Sequence, residues 1–534
     1  MTIEERGLLR TNVAVAAGTA VCRLTGLARI VVFGVVIGQT AVADAYDGAN
    51  NSPNSLYELL VGGVFAAALV PLFTRIAHRR DGDSSLPDDS ERTVMSTGFV
   101  MLALFTAIAV ACAPLVFRVF SLHPASTVDA DQYRTVGTML ARVFLIQIFF
   151  YGVTALASAA LNARDRFVAA AWAPVSSNVV IIALLALIPA SIDGRPGLDT
   201  VETNGTVRWL LGTGATVGIA STALIVLVVA RLSGVSFIAK PSVSHPAVRR
   251  LARLSIWTFG YVAANQVALV VVRNLARPGS GDPDAYTKAF TFFQLPHALL
   301  AVSIATTFAP GLARAAARRD DREFVDRLSL GVRLTTLLVL PASVLFFVNA
   351  RPMVGALLQH GNFTAGAAHN TSRALMGFSL GLVGFSVYLF VLRGFYARED
   401  TRTPFIVNCV ENAINIVLAV ILVHRFGVLG LGLAFAIAYL VSAILALVVI
   451  ERRLPEMASL ALIKSLAPML ASALVAALGA WAVGRAIGST EGLAAALRAA
   501  ASFVTGVIAY VACLKLTHVA EIDDAVRLVR RRSR

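Results

Sequence analysis

The chain has 534 residues, 57% of them hydrophobic and only 14% charged, where soluble domains carry about a quarter charged residues. A net charge of +15 would suggest nucleic acid as a partner of a soluble protein. Here the basic residues fall in alternate loops between apolar runs, so no nucleic acid is expected. The four cysteines, Cys22, Cys112, Cys409 and Cys513, lie in or beside apolar runs at no ligand spacing, so no disulfide framework or metal site follows from them. No metalloprotease, nucleophile-elbow or phosphate-loop motif is present. The sequence therefore reads as a non-enzyme with no catalytic residues.

Apolar runs of membrane length recur from end to end, the pattern of spanning helices and not of barrel strands. They predict an all-α polytopic membrane protein of about fourteen transmembrane helices, near 10–38, 42–76, 93–121, 130–163, 168–190, 208–232, 247–276, 284–316, 326–350, 366–397, 403–424, 427–451, 458–484 and 492–516. No removable signal peptide precedes the first run, which serves as its own insertion signal. One set of loops collects most of the lysine and arginine, including Arg79, Arg80, Arg164, Arg166, Arg318, Arg319, Arg398 and Arg452. By the positive-inside rule both termini face the cytoplasm of a bacterial cell, in its cytoplasmic (inner) membrane.

An internal repeat organises the chain. Asp44-Ala45-Tyr46 recurs as Asp284-Ala285-Tyr286, and Pro71 to Arg75 recurs as Pro310 to Arg314. Ala163 to Arg166 has a looser echo in Ala397 to Arg402, at nearly the same offset. Two six-helix lobes of the same orientation follow, residues 1–235 and 245–452, with two additional helices at 456–516 and a basic tail at 517–534. Parallel repeats of this kind suit a transporter with its site near the bilayer midplane.

The chemistry concentrates in the first two helices. Arg23 and Arg29 interrupt a membrane-length apolar run, and an arginine at a helix centre costs roughly 2.5–3.5 kcal/mol on insertion scales. Such a cost is retained where the side chain faces a polar cavity. A guanidinium keeps its charge and binds phosphate as a planar fork, so the two arginines are candidate substrate-binding residues for a diphosphate. Gly26 between them could let the helix bend. The second helix carries Asp44, Asp47 and Glu58, with Pro53 to break or kink it. Asp44 and Glu58 are expected to pair with the arginines when substrate is absent, which makes this acidic set, with Pro53 and Gly26, a candidate gate. Asp44 could equally cap its own helix.

In the second half, Arg273 and Lys288 are the counterparts of the first-half arginines. Asn408, Glu411 and Asn412 share one helix face at i, i+3 and i+4. A buried glutamate with amide neighbours suits Na⁺ through oxygen ligands or uptake of a proton; the alternative is an interhelical hydrogen-bond network. No bound cofactor is expected. The driving force is coupling to Na⁺ or H⁺, or the membrane potential acting on charge.

These residues resemble a known family, the lipid II flippases MurJ (MviN) of the multidrug/oligosaccharidyl-lipid/polysaccharide exporter superfamily, in its actinobacterial form. The resemblance rests on Arg23-Leu-Thr-Gly-Leu-Ala-Arg29 with Ala43-Asp44-Ala-Tyr46, Ser52-Pro53-Asn54 and Phe65 to Pro71. It continues with Leu161 to Phe167 and Ala173, Pro174 and Asn178, then Phe293-Gln-Leu-Pro296 through Pro310. Its fourth stretch joins Gln359-His-Gly-Asn-Phe-Thr364 with Gly394 to Pro404. It implies a V-shaped two-lobed fold with a cationic central cavity. The implied activity is alternating-access transport of the undecaprenyl-diphosphate-linked peptidoglycan precursor, in a setting of membrane lipids and of cell-wall synthesis or division proteins. The family's two first-helix arginines fall on Arg23 and Arg29, and its second-helix aspartate on Asp44. Two family positions depart: a second-helix arginine is Tyr57 here, a candidate substrate contact, and an eighth-helix arginine is Thr291. The alternatives are a flippase for another polyprenyl-linked glycan and an ion-coupled drug or metabolite antiporter of the same superfamily.

Overall fold

The computed structural model describes residues 3–59, 73, 90–192, 194–237, 241–242, 256–454 and 456–519. Most of the predicted tail, Arg75 of the repeat, and parts of the predicted helices 42–76 and 247–276 lie outside them. The described residues are helical, without a strand. In chain order the first helices are α1 (Ile3–Ile37), α2 (Ala41–Tyr57), α3 (Ser90–Ala111), α4 (Ala113–Val119), α5 (Ala130–Phe144), α6 (Gln147–Asn162) and α7 (Val168–Ala186). There follow α8 (Leu198–Thr203), α9 (Gly205–Leu232), α10 (Ile256–Leu275), α11 (Asp282–Pro296), α12 (Val302–Arg318), α13 (Asp321–Leu358) and α14 (Ala365–Leu380). The last are α15 (Leu382–Ala397), α16 (Arg402–Phe426), α17 (Val428–Arg453), α18 (Ser459–Ser465), α19 (Ala467–Ile487) and α20 (Gly492–Leu516).

Eleven helical stretches among the described residues are long and apolar enough to cross a membrane, and a twelfth arises if α14 and α15, bent by 47°, form one span. The chain is a multi-pass membrane protein. Several predicted spans are composite. The stretch Ala130–Asn162 joins α5 to α6, and Asp282–Arg318 joins α11 to α12 through a wide turn at His297–Ala301. That wide turn follows Pro296, which has no N–H to continue the regular ladder.

Grouped by packing, the described residues form two compact units: one runs to Gly281 and includes Gly361–Phe363, the other holds Asp282–His360 and Thr364 onward. The division at 235–245 read from the sequence follows the repeat, which is a different property from packing. In the first unit α1 lies along α7, α7 along α9, and α2 against α5. Its core brings together Ile37, Val42, Phe117, Leu140, Phe144 and Leu145. The α1–α7 seam is pinned where Trp172 Nε1 donates to the Ala14 carbonyl at 2.9 Å.

In the second unit the long helix α13 packs against α14, α15, α19 and α20. Rings of Phe293, Phe378, Phe385, Phe435 and Tyr439 interlock beside it, edge to face or tilted, with centroids 4.5 to 5.8 Å apart. Between α13 and α20 lies an apolar cavity of about 430 Å³, lined by Leu337, Pro341, Leu345, Phe503 and Val507. Among the described residues lining it, Tyr510 has the one polar side chain, and its hydroxyl donates to the Leu337 carbonyl at 3.0 Å.

Candidate functional site

Helix α1 runs unbroken through Gly26 and carries both arginines. Arg23 is exposed and Arg29 half-buried, and among the described residues neither forms an ion pair. On the open side of Gly26 lies Asn178, whose Nδ2 would be 3.7 Å from an added Cβ. Asn178 Nδ2 donates to the Cys22 carbonyl at 3.2 Å and to Thr25 Oγ1 at 3.1 Å. The turn between the two arginines is thereby fixed to α7. The Arg29 guanidinium lies within electrostatic reach of the Tyr46 and Tyr151 hydroxyls.

The carboxylates of α2 are engaged elsewhere than on these arginines. Asp44 is buried, and one oxygen accepts from the backbone N–H groups of Gly279 (2.8 Å) and Gly281 (2.7 Å). The cap of α2 is Thr40, whose hydroxyl accepts from the Ala43 N–H at 3.2 Å, so Asp44 is spared that duty. Gly279 and Gly281 have φ of +95° and +89°. A side chain adopts that backbone only with strain, and it turns both N–H groups toward one acceptor. Asp47 pairs with Arg273 of α10 at 2.5 Å, and its other oxygen accepts from Asn51 Nδ2 at 2.8 Å. Glu58, exposed beyond the end of α2, accepts from Gln266 Nε2 at 2.8 Å.

Pro53 sits inside α2 without ending it. The Ala49 carbonyl that loses its backbone donor there is satisfied by the Ser52 hydroxyl at 2.7 Å. After Tyr57 the described chain passes into a wide turn at residues 58–59. Tyr57 is half-buried, with its ring 5.5 Å from that of Tyr151. Tyr151 donates to Gln147 Oε1 at 3.1 Å, and Gln147 Nε2 donates to Thr216 at 3.3 Å. The sequence reading missed this cluster, although the i, i+4 spacing of Gln147 and Tyr151 was available to it. It likewise missed Asn178 as a contact of α1.

The second unit holds the remaining candidates. Lys288 forms an ion pair with Asp284 one turn earlier, both side chains 5% exposed; this i, i+4 pairing was legible and unread. Thr291 turns its hydroxyl back to the Thr287 carbonyl at 3.0 Å. Asn408, Glu411, Asn412 and Asn415 are all buried on α16. Among the described residues, neither Glu411 oxygen nor the Asn415 side-chain oxygen meets a hydrogen-bond donor, while Asn412 Nδ2 donates to the Asn408 carbonyl at 2.9 Å. A buried carboxylate with no donor is either protonated or completed by a cation. No cluster of three or more His, Cys, Asp or Glu that could hold a metal occurs among the described residues.

In the first unit, then, α1 carries two arginines that form no ion pair among the described residues, while the carboxylates of α2 are engaged by other groups. A family model described as the lipid II flippase MurJ matches residues 34–497. A probable lipid II flippase MurJ of Rhizobium meliloti (strain 1021) is 29% identical over 440 residues, 82% of this chain and 79% of that protein. The lipid II flippase MurJ of Burkholderia cenocepacia is 28% identical over 462 residues, covering 84% of each chain. Among solved structures, a lipid II flippase MurJ in an inward closed conformation matches with a TM-score of 0.74 at 20% identity, over 96% of this chain and all of that one. An inward-facing multidrug MATE transporter matches with a TM-score of 0.58 at 17% identity, over 84% of this chain and 99% of that one.

Proposed function

Because the chain belongs to the MurJ family of lipid II flippases, we propose that it carries undecaprenyl-diphosphate-linked peptidoglycan precursor across the cytoplasmic membrane, with both termini in the cytoplasm. The observation that carries the site is on α1: Arg23 and Arg29 form no ion pair among the described residues, while Asp44, Asp47 and Glu58 bind other groups. Two arginines separated by about 9 Å of helical rise, though not on one face of the helix, can hold a diphosphate by charge-assisted bonds that a neutral headgroup would not form. Tyr57 and Tyr151 border the same surface. Asp44 with the 279–281 turn, and Asp47 with Arg273, act as gating contacts that open during alternating access.

Lys288 belongs to the second half of this machinery through its pair with Asp284, and its release from that pair would expose a cation to substrate. On α16, Glu411 with the amide oxygens of Asn408, Asn412 and Asn415 offers a donor set for Na⁺ or a proton, which couples transport to an ion gradient. The departure at Tyr57 favours a second substrate reading, another polyprenyl-diphosphate glycan, since a phenol replaces a fixed charge there. Leaflet-resolved accessibility of labelled lipid II tests the proposal in cells depleted of the native flippase and supplied with this chain. Wild type should restore outward movement, and Arg23→Ala and Arg29→Ala should each abolish it while the protein still inserts. Full restoration by either variant would refute the arginine assignment. Failure by wild type, with transport of a different lipid-linked glycan, would redirect the substrate.

A further inference from the structure

We infer that Tyr151 is a specificity-determining residue that accepts hydrogen bonds from neutral N–H or O–H groups of the headgroup, beside a diphosphate held at Arg29. The inference rests on the flippase reading of α1.

Its basis is the direction of one hydrogen-bond chain in the first unit. Thr216 Oγ1 lies 3.0 Å from the Val143 carbonyl, which can only accept, so the Thr216 proton is committed there. Thr216 must then accept from its other neighbour, so the Gln147 amide turns its NH₂ toward it at 3.3 Å. Gln147 is fully buried, and this leaves its Oε1 facing Tyr151. The Tyr151 hydroxyl consequently donates to Oε1 at 3.1 Å. Its proton is spent inward, and what remains on its half-buried outer side is a lone pair.

That lone pair attracts donors and repels phosphate oxygens. Arg29, within electrostatic reach of the same hydroxyl, has the opposite preference. The two side chains therefore divide one ligand between them: the guanidinium takes the diphosphate, and the phenol takes a sugar hydroxyl or an amide N–H next to it. Tyr57, 5.5 Å from Tyr151 ring to ring, holds the phenol in place from α2.

The test compares binding of lipid II with that of undecaprenyl diphosphate, which lacks sugar and peptide, to the purified full-length protein in nanodiscs. Tyr151→Phe keeps the ring against Tyr57 and should weaken lipid II roughly three- to ten-fold, the size of one neutral hydrogen bond, with undecaprenyl diphosphate unchanged. Tyr151→Phe leaves Gln147 Oε1 without its donor, so the double variant Tyr151→Phe/Gln147→Met, which removes both partners, should show the same selective loss. Equal weakening of both lipids, or of neither, overturns the inference. Arg29→Ala should weaken both lipids. If it weakens neither, the anion site itself is misplaced and the Tyr151 assignment falls with it; if only the tyrosine arms fail, the flippase reading stands.

Discussion

Asp47 and Arg273 form a buried ion pair of 2.5 Å that ties α2 to α10 across 226 positions of sequence. Their side chains are 14% and 6% exposed, so either one left alone would be a charge largely removed from water. Arg273→Ala should therefore lower the stability of the detergent-solubilised protein by about 3–5 kcal/mol, read as a fall in unfolding midpoint. Replacing both, Asp47→Leu with Arg273→Met, should recover most of that loss, because no unpaired charge remains. If the pair is also a gate, the double variant stays folded and loses flipping. A double variant that folds and flips normally would reduce the pair to a brace.

Asp44 makes a different kind of tie, and its prediction separates charge from shape. Two backbone N–H groups converge on one carboxylate oxygen, and hydrogen bonds to a charged group contribute about 1.5–3 kcal/mol each. Asp44→Asn keeps an oxygen acceptor without the charge and should destabilise less than Asp44→Ala. Gly281→Ala should harm the same contact from the other side: φ is +89°, and its new Cβ would lie 2.8 Å from Gln39 Cγ. A thermal melt of the three variants should rank Asp44→Asn above both others.

Much of this architecture could be read from the amino acids, and the parts that could not share a cause. Hydropathy located the membrane stretches because burial in lipid demands about twenty consecutive apolar residues. The polar positions of α2 stood out for the same reason. Which partner each of them takes was invisible: Asp47 finds Arg273, and Glu58 finds Gln266, more than two hundred positions away, and periodicity carries only local information. Lys288 is the converse case. Its partner Asp284 lies one turn back, within reach of helical spacing, yet the sequence reading sets the lysine beside the first-half arginines and names no partner for it. What becomes of the carbonyl freed by Pro53 was equally invisible, because it depends on whether a neighbouring hydroxyl can satisfy it, as Ser52 does.

Arg29→Lys distinguishes a fork from a point charge. A lysine keeps the positive charge but cannot present two parallel N–H groups to a diphosphate. The variant should lose flipping by about ten-fold, equivalent to one charge-assisted hydrogen bond of roughly 1.5 kcal/mol, where Arg29→Ala loses it outright. Lipid II accessibility in the outer leaflet measures both. Equal activity of lysine and arginine would mean that α1 supplies only electrostatic attraction.

At the loop before α16, Asp400 offers a test of pH dependence outside the membrane. Burial alone would raise its carboxyl, but hydrogen bonds from Thr403 and Arg453 outweigh it and hold the group below the usual carboxylate range. A depressed folded value means that the unfolded chain binds the proton first as pH falls. The stabilisation is therefore fully present above the ordinary carboxylate value and disappears as pH drops through the lower, folded one. Arg453→Ala removes one of the causes and should flatten the acid limb of the stability–pH curve below about pH 4. An unchanged acid limb would show that Thr403 alone sets the carboxyl.

Asn178 carries the last prediction, because it fixes the segment of α1 between the two arginines. Its Nδ2 bonds both the Cys22 carbonyl and the Thr25 hydroxyl, and Thr25 itself donates to the Val21 carbonyl at 2.8 Å. Removal of the amide frees α1 to turn against α7, which shifts Arg23 and Arg29 together without altering either. Asn178→Ala should thus impair flipping through weaker binding, with half-saturating lipid II rising several-fold and maximal rate falling less. Asn178→Asp should not rescue, because a carboxylate has no N–H to donate to the Cys22 carbonyl. Asn178→Gln, which retains the amide on a longer stem, should rescue in part. Were Asn178→Asp as active as wild type, the amide donor would be irrelevant and α1 would owe its position to packing against Trp172 and its neighbours.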